Sequence, residues 1–300
     1  EAAKMLNSRL ETAQTSRKRA EFCLRVMTFN IRGATYDDGV NAWKNRAALN
    51  VEAIRRRAPD LIGFQELQVG NLKTYRYELP EYDYVLGLRY NRPGRLFYGP
   101  IFWNSRRFKL TGTGGFYLSK TPGKWSRAWE AARVHAVTWV RLRRVDGAQE
   151  MLHLNTHLDH SSHWARLESS KLIVRKTAQI RGDGLPTILT GDFNSLPQLP
   201  REMKTDPDGV VHRTLMDNGF KDTYLAACGE RLDAANTVHG FQGERFKGDR
   251  RTALRFDWIL TLNGSLPIRA KSCTIVRDAQ PPLYPSDHYP VVADLLIGGG

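Results

Sequence analysis

The sequence predicts an α/β fold in which two mixed β-sheets pack face to face with helices outside. Short β-rich runs broken by Gly, Pro and Asn recur along the chain, and helical segments are few. The 300 residues carry 41% hydrophobic content, enough for a large core, and no linker, repeat or low-complexity run divides them. So many strands argue against a single doubly wound sheet.

Residues 1–22, polar and charged with scattered Leu, read as a helical or frayed N-terminal arm. One domain is expected over 23–297, with 298–300 as a tail. It opens on "LRVMTFNI", a short apolar strand. "WKNRAALNVEAIRRRA" then places apolar residues near helical spacing until Pro59 stops it. "DLIGFQEL" is the next strand and leads into a second helical segment. "YDYVLGL", "GPIFWNS", "GGFYLS" and "HAVTWVRLRRV" follow as successive strands. "MLHLNTHL" is a strand, "SHWARLESSKLIVRKTAQI" a helix and "PTILTGDFN" a strand again. After an irregular, proline-rich excursion come a short helix near "RTLMDNG" and the strands "RFDWILTL", "SCTIVRD" and "PVVADLLI".

Lys plus Arg number 45 against 31 Asp plus Glu, and the resulting +14 attracts phosphate-bearing partners. The blocks "TSRKRA", "LRYNRPGR", "NSRRFK", "VRLRRV" and "GERFKGDRRTALR" carry much of the excess; a solvated Arg-rich surface and a nucleic-acid groove both fit them. Cys23, Cys228 and Cys273 lack metal-type spacing and read as buried, inert thiols. With no apolar run of membrane-spanning length and no signal-like segment, a soluble monomer is expected, cytoplasmic or exported after loss of a presequence.

Several strands finish in polar groups that a plain loop does not require: Asn30, Gln65-Glu66, Asn155 with His157, and Asp192 with Asn194. Asp257 sits inside an otherwise apolar strand. Asp287 and His288 stand between Pro285 and Pro290, which place the pair in a turn where both side chains can lean into one cleft. Taken singly, each is also explained as a turn former, a cap or a satisfied core histidine. Together, acids, amides and histidines without a cysteine suit a hard, oxygen-liganded cation such as Mg²⁺ rather than zinc.

"MTFNIRG", "FQEL", "LNTHL", "GDFN", "RFDWIL" and "SDHYPV", in this order across residues 27–292, resemble the motif series of the endonuclease/exonuclease/phosphatase superfamily. The resemblance implies a four-layered α/β sandwich and phosphoester hydrolysis dependent on Mg²⁺ or Mn²⁺. By motif position Glu66 is the principal metal ligand, with Asn30 and Asp287 near the same ion. Asp192 and Asn194 orient the attacking water and the phosphate, and His157 contacts the phosphate. His288 is general base or stabilises phosphoryl charge, with Asp257 as its orienting partner.

Abasic-site endonucleases carry a tyrosine-containing segment where this chain reads "LNTHL", so His157 argues against that activity. "GGFYLSKTP" and "NTVHGFQG" resemble a largely uncharacterised bacterial subgroup. Asn155, Arg127 and Arg133 are expected at the substrate. Trp125, Trp129, Tyr98, Phe241 and Tyr284 are candidates for an aromatic rim, with Arg245 adding charge, which suits single-stranded nucleic acid. The expected function is a nuclease-type phosphodiesterase. A phosphatase or phosphodiesterase acting on a small molecule, inositol phosphate or lipid headgroup is the alternative, and a noncatalytic binder is a third reading.

Overall fold

A computed structural model describes residues 21–197, 209–229, 235–246 and 254–298. The expected N-terminal arm lies outside these residues, save its last two, as do much of the proline-rich excursion and of the last basic block. In chain order the elements are β1 (Phe22–Asn30), α1 (Trp43–Arg57), β2 (Leu61–Gln65), α2 (Val69–Glu78), β3 (Tyr82–Val85), β4 (Arg89–Arg92), β5 (Arg95–Tyr98), β6 (Ile101–Asn104), β7 (Phe108–Tyr117) and β8 (Ala136–Arg144). They continue with β9 (Glu150–His157), α3 (His163–Ile180), β10 (Thr187–Asp192), α4 (Gly209–Asp217), β11 (Lys221–Asp222), α5 (Thr223–Cys228), β12 (Asp257–Leu262), β13 (Ile268–Ile275) and β14 (Val291–Ile297).

The strands form two six-stranded sheets, ordered β13-β14-β1-β2-β6-β3 and β11-β12-β10-β9-β8-β7. Each sheet is antiparallel except for one central parallel pair, β1 with β2 and β9 with β10. A parallel pair needs a crossover, and α1 and α3 supply it. Helix α1 ends at Ala58, whose left-handed backbone (φ 43°) precedes Pro59. The N-terminus of α3 is capped by Ser162, which accepts from the Ala165 amide.

Period-two alternation sorts the side chains into layers. Phe22, Leu24 and Val26 of β1, Leu61 of β2, Met151 of β9, Ile188 of β10 and Ile259 of β12 share one apolar core between the sheets. The opposite faces of β1 and β2 pack Met27, Phe29, Ile62 and Phe64 against α1 and α2. On the other sheet Leu152, Leu154, Leu189, Trp258 and Leu260 pack against α3 and α4. Helix, sheet, sheet, helix is the four-layered arrangement. Cys23 follows the same alternation: its neighbours point inward, so its thiol is exposed rather than buried.

Moving along the seam between the sheets, the chemistry changes. Thr28, Gly63, His153, Asn155 and Thr190 follow the apolar core, and Asn30, His157, Asp192 and Asp257 follow them. In the middle, Gln65 Nε2 donates to Thr28 Oγ1 and to Asn155 Oδ1, Thr190 Oγ1 donates to the same oxygen, and Asn155 Nδ2 donates to the carbonyls of Phe64 and Pro100. Gly63 makes this contact feasible, because a Cβ there would stand 2.5 Å from Asn155 Oδ1 and closer still to Thr190 Oγ1.

Strand β11, helix α5 and one hairpin have no counterpart in the sequence reading. "RYNRPGRLFY", which contains much of a basic block, is the hairpin β4–β5, turning through Pro93-Gly94 with Gly94 at φ 81°. Among the described residues no helix is long and apolar enough to cross a membrane.

Candidate active site

Both parallel pairs end at the same place. Asn30 pairs with Gln65 at the end of β1 and β2, and Asp192 pairs with His157 and with Asp257 at the ends of β9, β10 and β12. Ends of parallel strands aim several loops at one cleft. Strand alternation would turn Glu66 away from Gln65's face, but its left-handed backbone (φ 63°) brings the carboxylate to 3.5 Å from Asn30 Nδ2 and from the Gly33 amide. Asn194 is also left-handed (φ 46°), with its amide on Asp192 Oδ1 and its Nδ2 on the Leu158 carbonyl.

The loop carrying Asp287 and His288 is tied down from two sides. Arg46, fully buried, donates to the carbonyls of Asn41, Ile31, Arg32 and Pro285, and Asn50 donates to Pro285 as well. From the other side, the amides of His239 and Gly240 donate to the Asp287 carbonyl. Thr237 joins the two catalytic candidates: its carbonyl accepts from the Tyr289 amide, and its hydroxyl accepts from the amides of Phe256 and Asp257. The result is a 2.9 Å contact between His288 Nδ1 and Asp257 Oδ2. Nε2 is thereby the ring atom left to face reacting groups. Burial works against a charged imidazole here, but Asp257, Asp192 and Asp287 outweigh it and raise the ring to about 10.

Asp192 is the hub of the site. Its Oδ2 lies 3.0 Å from Asn30 Nδ2, 3.5 Å from His157 Nε2 and 3.9 Å from His288 Nε2. Burial favours its neutral form, yet the two histidines and the donors Asn30 and Asn194 hold its pKa below the usual range, so it stays ionised. Burial takes His157 the other way, down to about 4. Tyr90 Oη accepts from the Glu66 amide at 2.8 Å and stands 3.3 Å from His157 Nδ1. Its own hydrogen is therefore directed at Nδ1, which leaves the His157 proton on Nε2, facing Asp192.

Glu66, Asn30 and Asp287 form a second group of oxygen donors. Burial and then the facing Asp287 push the Glu66 carboxyl up, with Arg32 opposing. A buried carboxyl facing a second carboxylate, beside the Asn30 amide and with no thiol, fits a hard divalent cation. Asp192, Asp257 and His288 also bring one ligand atom each within 4.8 Å of one another. Asp257 and His288 of that cluster are committed to each other at 2.9 Å, whereas among the described residues the Glu66 carboxylate has only two contacts, both at 3.5 Å.

Three expectations change. Asn155, expected at the substrate, is fully buried, and its amide is saturated by contacts between the sheets. Arg127 donates to the carbonyls of Ala131 and Ala132, so that nitrogen braces its own loop. Tyr284 is buried against His239 rather than on a rim, and Trp129 packs against the second sheet's core. Trp125 remains 42% exposed, and Arg245 is also exposed. Arg133 is half-exposed, and its backbone amide donates to Asp159.

The sequence reading missed Tyr90 and Arg32. Tyr90 comes from the unrecognised hairpin, and Arg32, inside the quoted "MTFNIRG", pairs with Asp287 at 3.4 Å and Asp38 at 2.9 Å. An arginine directly after a polar strand end was the available signal for the second.

A family model described as "Endonuclease/Exonuclease/phosphatase family" matches residues 27–288. No curated protein matches the sequence. Among solved structures, an endonuclease/exonuclease/phosphatase family protein from Bacteroides thetaiotaomicron is 27% identical with a TM-score of 0.78, covering 93% of this chain and 96% of its own. A structure described as the mannosyl-6-phosphatase Bt3783 of Bacteroides thetaiotaomicron VPI-5482 is 27% identical, TM-score 0.77, covering 91% and 99%. The human nocturnin catalytic domain with bound sulfate shares the fold at 20% identity, TM-score 0.66, covering 93% and 96%.

Proposed function

Because the chain belongs to the endonuclease/exonuclease/phosphatase family, whose members are phosphoester hydrolases, we propose that it cleaves a phosphoester with water and the aid of a divalent cation. The observation that carries this reading is the convergence of the Asp257–His288 pair, ionised Asp192 and the Glu66 oxygen group at one end of the seam. Glu66, Asn30 and Asp287 would hold Mg²⁺ or Mn²⁺, which would supply charge neutralisation at the nonbridging oxygens. Asp192, with Asn194 behind it, orients the attacking water. Asp192 takes the water's proton, and His288, which its carboxylate neighbours keep protonated, donates from Nε2 to the phosphoryl oxygen as charge builds, with Asp257 fixing the ring. His157 Nε2–H donates toward the phosphate. A new P–O bond forms from water, the ester P–O bond breaks, and the leaving oxygen takes up a proton.

Two substrate classes are each favoured by one observation. The +14 charge favours a nucleic-acid phosphodiester. Likeness to a protein described as a mannosyl-6-phosphatase favours a sugar phosphate. A panel of single- and double-stranded DNA, RNA, inositol phosphates and sugar phosphates, each with Mg²⁺, Mn²⁺ or chelator, separates them. Turnover that survives chelation, or full activity in Glu66→Gln, overturns the metal assignment; a blank panel overturns the reading.

A further inference from the structure

The hairpin β4–β5 forms a wall of the site. Its Tyr98 exchanges backbone hydrogen bonds with Leu67, next to Glu66, and its Asn91 does the same with Val134, next to Arg133. From this wall the Arg95 guanidinium lies 4.6 Å from the centre of the Tyr36 ring, while Arg32 lies 3.7 Å from it. Both guanidiniums lie over Tyr36, so the ring is already engaged by charge and is a poor surface for a base or sugar to stack on.

The three arginines near Tyr36 differ in their partners. Arg32 is committed to Asp38 and Asp287. Arg133 lies within electrostatic reach of the Tyr36 hydroxyl, as does Glu66. Among the described residues, neither Arg95 nor Arg133 pairs its guanidinium with a carboxylate, and both are half-exposed. Two uncompensated guanidiniums on stitched supports, beside the proposed metal group, match a tetrahedral anion better than an aromatic or neutral group.

We infer that Arg95 and Arg133 form a subsite for a second phosphate on the substrate, one that is not cleaved. This rests on the phosphoester reading of the neighbouring centre and narrows it to substrates carrying two phosphate groups. Such a phosphate belongs either to the next nucleotide of a strand or to a bisphosphorylated small molecule.

Calorimetric binding to His288→Ala protein, which avoids turnover, tests this with two matched pairs of probes: a thymidine dinucleotide with and without a 5′-phosphate, and inositol bisphosphate against monophosphate. In at least one pair the second phosphate tightens binding about tenfold or more, and Arg95→Ala or Arg133→Ala cuts that ratio by about tenfold. Arg92→Ala, exposed near the turn of the same hairpin, keeps the ratio. The pair that discriminates identifies the source of the phosphate. Arg95→Gln keeps length without charge and gives the same answer should the alanine variant unfold. A ratio near one in both pairs, or one erased equally by Arg92→Ala, overturns the subsite. Wild-type turnover of the same probes is read separately: discrimination without hydrolysis removes only the catalytic reading, and hydrolysis without discrimination removes only the subsite.

Discussion

Asp257 has almost no contact with water, and its place beside His288 is the most constrained contact of the site. A buried carboxylate is costly unless it holds something, and here it holds the imidazole from behind. Asp257→Asn removes the carboxylate that keeps the ring charged and oriented, so we expect kcat to fall on the order of a hundredfold or more with KM little changed. Steady-state kinetics across pH check this, and an unaltered rate with only a lower melting temperature would make Asp257 structural. Asn155 makes the opposite case. Its amide joins the sheets, so Asn155→Ala should lower stability by about 3 kcal/mol, as expected for leaving several buried polar groups unpaired. Denaturant unfolding measures that loss, whereas a raised KM at unchanged stability would return Asn155 to the substrate. Sequence placed Asp257 inside an apolar strand and Asn155 near a strand end, yet only the register shows that Asn155 stops one inward-facing position short of His157.

At the scale of elements, the short helix α5 depends on an acid that no motif announced. Asp222 caps it by accepting from the Tyr224 and Leu225 amides, and also binds His212 at 2.9 Å and Arg255 at 2.6 Å, all within the core. Burial opposes its charge, but Arg255 and His212 win and hold the carboxyl far below its ordinary range. A depressed native pKa gives stability that is present above the unfolded value, near 4, and is lost as pH falls below it. Asp222→Asn should therefore cost about 3–5 kcal/mol at pH 7, by stranding Arg255, with the gap between variant and wild type shrinking only below about pH 4. Urea melts at several pH values test this; a gap that narrows between pH 7 and 5 contradicts it. The long strands and α1 and α3 were legible because apolar periodicity runs through them. The hairpin β4–β5 was not, because four-residue strands whose only buried hydrophobic side chains are Tyr90 and Phe97 read as a basic turn. Wall residues such as Arg95 were hidden with it.

For the molecule as a whole, +14 is spread over many arginines, and its effect is on encounter. Binding of a single-stranded oligonucleotide to His288→Ala protein should weaken steeply with salt, with a slope of about −0.7 per phosphate neutralised. A flat slope, or no binding at low salt, favours the sugar-phosphate reading. The topology also fixes when activity can exist. Strand β1 pairs with β14, and Asn30 waits for His288, which a ribosome delivers more than two hundred residues later. Each sheet holds half the reactive groups, so a nascent or half-folded chain is a blank. On the proposed reading, a chain ending before His288 is expected to be inactive, because Asp257 and Asp192 then lack the imidazole that completes the site.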